Sequence, residues 1–221
     1  MKILFEDYYL LVMEKPAGLS TESGGARHPS AEQEALLYFT ESLMKATTSK
    51  RLKTTPFLRV AHRLDRPASG ILVLAKTKTA LTQVMAQFEN RTVQKTYLAA
   101  TERAPALPAA DLRHWLRKDE SGKQAIVTEQ QVRDSQLSTL HYRTLERLGK
   151  GALLEIQPAT GRFHQIRAQL AHIGCPIIGD LAYGAPSWRL DQIKLHAHRL
   201  VLQHPKTGEP LVLESPKPSD W

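Results

Sequence analysis

Asp65 is the side chain best suited to chemistry, because it stands between two guanidinium groups, those of Arg63 and Arg66. His62 lies just upstream of this group. A carboxylate in such a setting either forms a structural ion pair with an arginine or serves as a reactive group. The residue types alone leave both interpretations open.

The residues around Asp65 predict how it is positioned. Pro67 lacks a backbone donor and fixes φ, so a regular element should end near Leu64 or Asp65. Ser69-Gly70 indicates a turn, and residues 71–75 form an apolar run of strand length. We therefore expect Asp65 on a loop that leads into a buried strand, where a rigid scaffold commonly holds reactive side chains.

A second informative stretch begins at Thr160. Its apolar residues recur at helical spacing, at Phe163, Ile166, Leu170 and Ile173. This pattern predicts a helix of roughly four turns that Thr160 caps and that ends at Gly174. Arg162 then falls in the first turn, where free N–H groups already favour an anion, so we expect an acid or phosphate opposite it.

The rest of the chain predicts many short strands and few helices. Two strands are expected at residues 2–5 and 10–14, and others at 93–100, 152–156, 195–202 and 210–213. Several short strands separated by polar turns are expected between 112 and about 148, and residues 176–183 should form a strand followed by a Gly-Asp turn. Ser30 should cap a helix that runs to Leu43, and Thr77 or Thr79 a helix that stops near Asn90. This mixture predicts an α+β fold with a largely antiparallel sheet. We expect a single domain whose two sub-structures join near residues 104–110, a Pro- and Ala-rich segment.

Composition favours a polyanionic partner. Thirty Lys and Arg residues face 22 Asp and Glu residues, which gives a net charge of +8. The positive charge is concentrated between residues 45 and 66, where a basic loop either contacts phosphates or is simply solvated; we favour phosphate contact.

Other functional classes are disfavoured. The only cysteine, Cys175, excludes an internal disulfide and a multi-cysteine zinc site, and its apolar neighbours predict burial. His196 and His198 share one face of a strand but lack a third ligand, so no metal is expected. Acidic residues interrupt the N-terminal apolar runs, and no stretch reaches the ~20 apolar residues of a membrane span. We expect a cytoplasmic protein that does not interact with membranes.

Several motifs together resemble the RluA-type pseudouridine synthases. They occur in the family's order and extend over nearly the whole chain: His62-Arg63-Leu64-Asp65 with Ser69-Gly70, Lys95-Thr96-Tyr97, Thr160-Gly161-Arg162-Phe163-His164-Gln165-Ile166-Arg167, Gly179-Asp180 and Tyr183-Gly184. Lys15-Pro16-Ala17-Gly18 also resembles a family segment, although a simple strand-ending turn explains it equally well. Ala68 departs from the family's usual threonine. No S4-type extension precedes Met1, so the chain resembles the short members.

The resemblance implies a sheet with a central active-site cleft and the isomerisation of uridine to pseudouridine in structured tRNA or rRNA. Asp65 matches the catalytic carboxylate, which attacks C1′ or deprotonates C2′. Tyr97 matches the tyrosine over the flipped base, and Arg162 matches the basic residue that the family pairs with the aspartate. Both are expected to be catalytic, although Tyr97 is also explained as a core aromatic.

Five more residues are expected to bind substrate: His62, Arg63, Lys95, Gln165 and Arg167. Arg63 matches the side chain that fills the gap left by the extruded nucleotide. His62 should lie beside it, although a packed histidine is an equally good interpretation. No cofactor is implied, and we expect a monomer.

Two other functions compete with this one. An inert RNA-binding module with the same fold would not need Asp65, Tyr97 and Arg162 together. A carboxylate-based glycosidase needs two acids, and no second acid lies near Asp65 in the sequence. The target uridine is not encoded in a readable way, because the loops at 20–30 and 45–58 have no recognisable code.

Overall fold

The structure is a computed structural model that describes residues 1–22, 29–46 and 54–221. Part of the loops predicted at 20–30 and 45–58 lies outside these residues. The chain forms two compact units. Unit 1 comprises Met1–Val93 and Arg199–Ser215, and unit 2 comprises Gln94–His198 and Pro216–Trp221. The segment 104–110 lies inside unit 2, and the chain first leaves unit 1 after Val93.

The described residues form eleven strands and three α-helices. The strands are β1 (Lys2–Glu6), β2 (Leu10–Lys15), β3 (Arg59–Val60), β4 (Ser69–Ala75), β5 (Gln94–Thr101), β6 (Ala109–Lys118), β7 (Ala125–Thr128), β8 (Gln136–Leu148), β9 (Gly151–Pro158), β10 (Leu195–Gln203) and β11 (Pro210–Glu214). The helices are α1 (Ala31–Ala46), α2 (Lys78–Glu89) and α3 (Gln165–His172), with a 3₁₀ turn at Leu181–Tyr183.

Unit 1 buries both faces of its sheet. β2 pairs antiparallel with β1 and with β4, and β10 pairs antiparallel with β11. One face packs Val12 and Val73 against Val84 of α2. The opposite face packs Met13 and Leu72 against α1. Because neighbouring residues of a strand point to opposite faces, this double coverage explains the uninterrupted apolar run of β4.

Unit 2 is an antiparallel sheet with the strand order β5-β9-β8-β6-β7. Ala168 of α3 packs on Leu116 of β6 and Ala125 of β7. The strand pairs in both units are antiparallel and the helices pack on the sheet, so the predicted α+β class is confirmed. Cys175 is buried, as expected.

Local capping signals predict α1 and α2 correctly. The Ser30 hydroxyl accepts from the Gln33 N–H at 3.2 Å, while the Gln33 side chain accepts from the Ser30 N–H at 3.2 Å. This reciprocal pair is a capping box. The Thr77 hydroxyl caps α2 by accepting from Ala80 N–H, and Asn90 ends that helix.

Two predictions were wrong. α3 begins at Gln165 and spans eight residues, so the predicted helix is present but shorter, and Thr160 does not cap it. Residues 176–183 form no strand, only an isolated bridge at Ile177 and the 3₁₀ turn. The segment 112–148 holds most of β6 and all of β7 and β8, so the several strands expected there are confirmed, although β8 is long at 13 residues.

Among the described residues, no helix combines the length and the apolar character that crossing a membrane requires.

Candidate active site

Asp65 lies half-buried on the loop between β3 and β4. Its carbonyl accepts a 3.1 Å bond from the N–H of Ala68, which closes the turn Asp65-Arg66-Pro67-Ala68 immediately before β4. This agrees with the predicted loop before a buried strand. The turn alone fixes little more than the local backbone, so the neighbouring segments decide how firmly Asp65 is held.

Lys15 fastens the downstream side of this loop. Its side chain is fully buried, and its ammonium donates to the carbonyls of Ala68 at 2.6 Å and Arg66 at 3.2 Å. It also donates to the carbonyls of Pro16 and Leu19, at 2.9 and 2.8 Å. The Lys-Pro-x-Gly segment therefore does more than end β2, because its lysine ties two chain segments together.

The pKa of Lys15 is strongly shifted from its ordinary value. Burial lowers the pKa of Lys15 to about 7, while the negative charge of Asp65 opposes this shift. The protonation of Lys15 is therefore coupled to the negative charge of Asp65. A group with such a perturbed pKa is typical of a functional site.

Thr21 and Gly18 fasten the rest of the loop. The Thr21 hydroxyl donates to the Leu64 carbonyl at 2.8 Å and accepts from the Leu64 N–H at 3.1 Å. The Gly18 N–H donates to the Arg66 carbonyl at 2.8 Å. Asp65 is thus bracketed by backbone contacts on both sides, which is how a scaffold pre-organises a reactive side chain.

The two predicted substrate-binding residues before Asp65 differ in exposure. Arg63 is exposed over 79% of its side chain, with its Nε 3.5 Å from a Glu22 carboxylate oxygen. His62 instead accepts a 3.1 Å bond from the Val73 N–H and stacks on Phe88, with ring centroids 4.6 Å apart. His62 is therefore a packed histidine that supports β4, and Arg63 is the one available for an external partner.

In unit 2, β5 carries the predicted residues Lys95 and Tyr97. Tyr97 is half-buried and pairs in register with Ile156 of β9. A Cβ atom added at Gly161 would lie in ordinary contact with Lys95 Nζ, at 3.7 Å, so this ammonium lies beside the Arg162 loop. The structure thus brings together Lys95 and the loop of residues 160–162.

Gln165 holds the Arg162 loop from within. Its Oε1 accepts from the Thr160 hydroxyl at 2.7 Å and from the Arg162 N–H at 3.1 Å, and its Nε2 donates to the Thr139 carbonyl at 3.0 Å. Since this side chain is 4% exposed, the prediction that it binds substrate is corrected to a positioning role.

Arg162 itself lies on the loop that precedes α3. Arg162 therefore lies outside the first helical turn, contrary to the prediction, although its surroundings are still suited to an anion. With Arg117, Lys118 and Phe163 it lines a cavity of about 310 Å³. Lys118 Nζ lies 5.0 Å from the Phe163 ring centroid, and the Arg162 Nε is buried without a hydrogen-bond partner among the described residues.

Arg167 is a structural residue. It is 5% exposed and makes a bidentate pair with Asp180, at 2.7 Å from Nε to Oδ2 and 2.8 Å from Nη2 to Oδ1. Its guanidinium carbon also lies 5.2 Å from the Tyr183 ring centroid. The prediction that Arg167 binds substrate is thus corrected, because its fork is occupied by a buried carboxylate.

A sequence profile of the family described as RNA pseudouridylate synthase matches residues 9–172. The chain belongs to this family. The predicted resemblance to RluA-type pseudouridine synthases is thereby confirmed.

Similar curated synthases carry ribosomal names. Ribosomal large subunit pseudouridine synthase D of Nitrosomonas europaea is 35% identical over the whole of this chain, which covers 63% of that protein. Synthase C of Pasteurella multocida is 34% identical over 97% of this chain, which covers 64% of that protein. The chain thus spans about two thirds of the length of these relatives.

Solved structures of pseudouridylate synthases share the fold. The structure of human RNA pseudouridylate synthase domain containing 4 is 27% identical, with a TM-score of 0.77 over 99% of this chain and 89% of that chain. Human RNA pseudouridylate synthase domain containing 1 is 24% identical, with a TM-score of 0.74 over 98% of this chain and 83% of that chain. The predicted fold is therefore that of a pseudouridine synthase.

Two groups that hold the candidate site could not be found from the sequence. Thr21 was hidden in a Gly- and Ser-rich segment with no recognisable signal. The partner of Arg167 was present in the Gly179-Asp180 motif, but only the fold brings the two side chains together. Among the described residues, one group has the spacing of a metal site, and it contains no predicted site residue: His114, Glu129 and His172.

Proposed function

We propose that this chain is an RNA pseudouridine synthase in which Asp65 is the catalytic carboxylate. One observation carries the proposal. In a chain of this family, the loop of Asp65 is fastened on one side by Thr21 and on the other by Lys15. A structural ion pair alone would not require such backbone fixation on both sides.

The reaction is an isomerisation that needs no net reagent. The bond between N1 of uracil and C1′ of ribose breaks, the base rotates, and C5 forms the new bond to C1′. C5 then loses its proton and N1 gains one. Asp65 is suited to either opening step, nucleophilic attack on C1′ or removal of the C2′ proton, because both need a positioned carboxylate.

Tyr97 and Arg162 are proposed to act on the substrate. A half-buried tyrosine offers a ring for base stacking and a phenol for proton transfer at C5. The cavity beside Arg162 is lined by three cations, one anion (Asp134) and the Phe163 ring, so it is net positive with an aromatic face, a combination typical of single-stranded nucleic acid binding. Lys95 adds a further positive charge next to this loop.

Arg63 is proposed to enter the RNA stack. Its side chain is long and exposed, and it lies two residues before Asp65. An extruded uridine leaves a gap that a guanidinium plane can fill by stacking. The net charge of +8 favours binding to the phosphate backbone of RNA.

The first candidate substrate is large-subunit ribosomal RNA, because the similar synthases are named for it. Uridine in tRNA is the alternative substrate that the same chemistry allows. A cytoplasmic location and a monomeric state accompany the proposal as predictions.

Pseudouridine mapping tests the proposal. Total rRNA and tRNA from cells with and without the gene are treated with carbodiimide, and the resulting reverse-transcription stops are compared. We expect a stop that disappears with the gene and returns with wild type, but not with Asp65→Asn. Asp111→Asn, which changes an exposed aspartate on β6, is the matched control and should restore the stop.

Two outcomes would overturn parts of the proposal. If Asp65→Asn restores the stop, another group is the catalytic carboxylate. If no stop changes while the protein still binds RNA tightly, the chain is an inert RNA-binding module of the same fold.

A further inference from the structure

Three side chains that can bind a metal converge in unit 2, and none belongs to the proposed catalytic set. His114 lies on β6, Glu129 directly follows β7, and His172 is the last residue of α3. The His172 Nε2 lies 2.7 Å from the Glu129 Oε1, and the His114 Nε2 lies 3.9 Å from the same oxygen. All three ligand atoms lie within 4.8 Å of one another.

We propose that His114, Glu129 and His172 bind a divalent transition-metal ion, with Zn²⁺ as the reference ion. Two imidazole nitrogens and one carboxylate form a donor set that zinc commonly uses, with the fourth position left to water. Imidazole also excludes Mg²⁺ and Ca²⁺ as preferred ions, since these select oxygen donors.

The geometry needs only small adjustments. Donor atoms of a tetrahedral zinc site lie roughly 3.3 Å apart. The Glu129 and His172 side chains are 70% and 36% exposed, so both can move to meet an ion. His114 is 9% exposed at its side chain and is the fixed member.

Gln169 provides the contact that orients His114. Its Nε2 lies 3.0 Å from His114 Nδ1 and 3.2 Å from the Ser138 carbonyl, while its buried Oε1 has no hydrogen-bond partner among the described residues. Metal binding at Nε2 places the ring proton on Nδ1. A half-turn of the amide then makes Oε1 the acceptor of that proton, at the expense of the Ser138 bond.

The position of His172 also favours a cation. The carbonyl end of a helix carries partial negative charge, and His172 ends α3. The Glu129 carboxylate adds a full negative charge beside it. A bound ion would join β6, β7 and α3, and so would stabilise the part of unit 2 that follows the Arg162 loop.

Metal titration of the purified full chain tests this inference, which does not depend on the proposed function. The protein is first freed of metal with a chelator, and Zn²⁺ is then titrated in competition with a chromophoric chelator. We expect one equivalent to bind tightly to wild type. At about 100-fold excess of free ion over Kd, Tm should rise by roughly 5–10 °C.

Exposed variants keep the test independent of folding. His172→Ala and Glu129→Gln should each weaken binding by at least about tenfold and abolish most of the Tm shift. His141→Ala is the matched control, because His141 pairs with one carboxylate, that of Asp111, at 2.8 Å. It should leave the binding constant unchanged.

Co²⁺ adds a readout of coordination, since a low-symmetry site with two imidazoles gives strong visible absorption. The inference is overturned if His172→Ala and Glu129→Gln bind Zn²⁺ as wild type does, or if His141→Ala weakens binding equally. Absence of any bound equivalent in wild type would mean that the three side chains form an ion pair only.

Discussion

The ammonium of Lys15 donates to the carbonyl of Ala68 at 2.6 Å, across 53 positions of sequence. This contact joins the end of β2 to the turn that begins at Asp65. It makes the placement of the proposed catalytic carboxylate depend on a residue that performs no step of the reaction. Changing Lys15 therefore tests how the position of Asp65 affects catalysis without removing the catalytic carboxylate itself.

Lys15→Met should lower kcat while leaving RNA affinity largely intact. The methionine fills a similar volume but leaves carbonyls of Leu19, Arg66 and Ala68 without their buried donor. We expect about 2–4 kcal/mol of lost stability and a fall of about 100-fold in kcat, since small misplacements of a catalytic group are costly. Urea unfolding and single-turnover kinetics measure the two effects.

The control for this variant is Lys2→Met, which removes an exposed lysine paired with Glu14. This control should lower the free energy of unfolding by less than about 0.5 kcal/mol. Equal kcat values for Lys15→Met and wild type would contradict the positioning role.

The pH dependence of stability has a defined sign. Burial lowers the pKa of Lys15 from 10.5 to about 7 in the folded chain. Between these values the unfolded chain binds a proton that the folded chain has released, so stability rises with pH over this window. The difference in unfolding free energy between wild type and Lys15→Met should therefore grow in favour of wild type from about pH 7 upward. A difference that is flat or declining with pH would be incompatible with the lowered pKa.

Thr21→Val should slow catalysis through the other side of the loop. It keeps the shape of Thr21 but removes the hydroxyl that bonds both backbone groups of Leu64. We expect a loss of roughly 1–2 kcal/mol in stability and a lower kcat with an unchanged KM. Thr21→Ser should recover most of the activity, and a failure of this rescue would point to packing by the methyl group.

Arg167→Lys should destabilise the fold without changing how RNA binding responds to salt. Lysine cannot reproduce the bidentate pair with Asp180, so about 2–4 kcal/mol should be lost. Arg143→Lys is the control, because it changes a half-exposed pair with Glu155. It should lower the free energy of unfolding by less than about 1 kcal/mol. A reduced salt slope for Arg167→Lys would instead restore its predicted contact with RNA.

The features that the sequence predicts correctly are those encoded locally. Ser30 and Thr77 cap their helices because the partner N–H lies three residues away, and the apolar run before Lys76 has the length of a buried strand and follows a turn signal. The start of α3 was mispredicted because Gln165 binds the Thr160 hydroxyl and the Thr139 carbonyl, while His164 takes a left-handed conformation with φ of 51°. Those contacts come from tertiary structure.

The candidate site also combines features encoded locally with features that depend on residues distant in sequence. Asp65 and its turn follow from residue types and from the family's motif. The contacts of Lys15 and Thr21, and the burial of Arg167 against Asp180, depend on residues distant in sequence. No local pattern distinguishes an arginine that binds RNA from one that binds a buried carboxylate.

Release of tritium from RNA labelled at C5 of uridine tests the central claim most directly, because the C5 proton is lost when C5 joins C1′. Under single-turnover conditions with the target RNA, wild type should release one tritium per target uridine. Asp65→Asn should release none while binding the RNA within about twofold of wild type, since the change removes a charge but little volume. Release by Asp65→Asn at the wild-type rate would contradict the account.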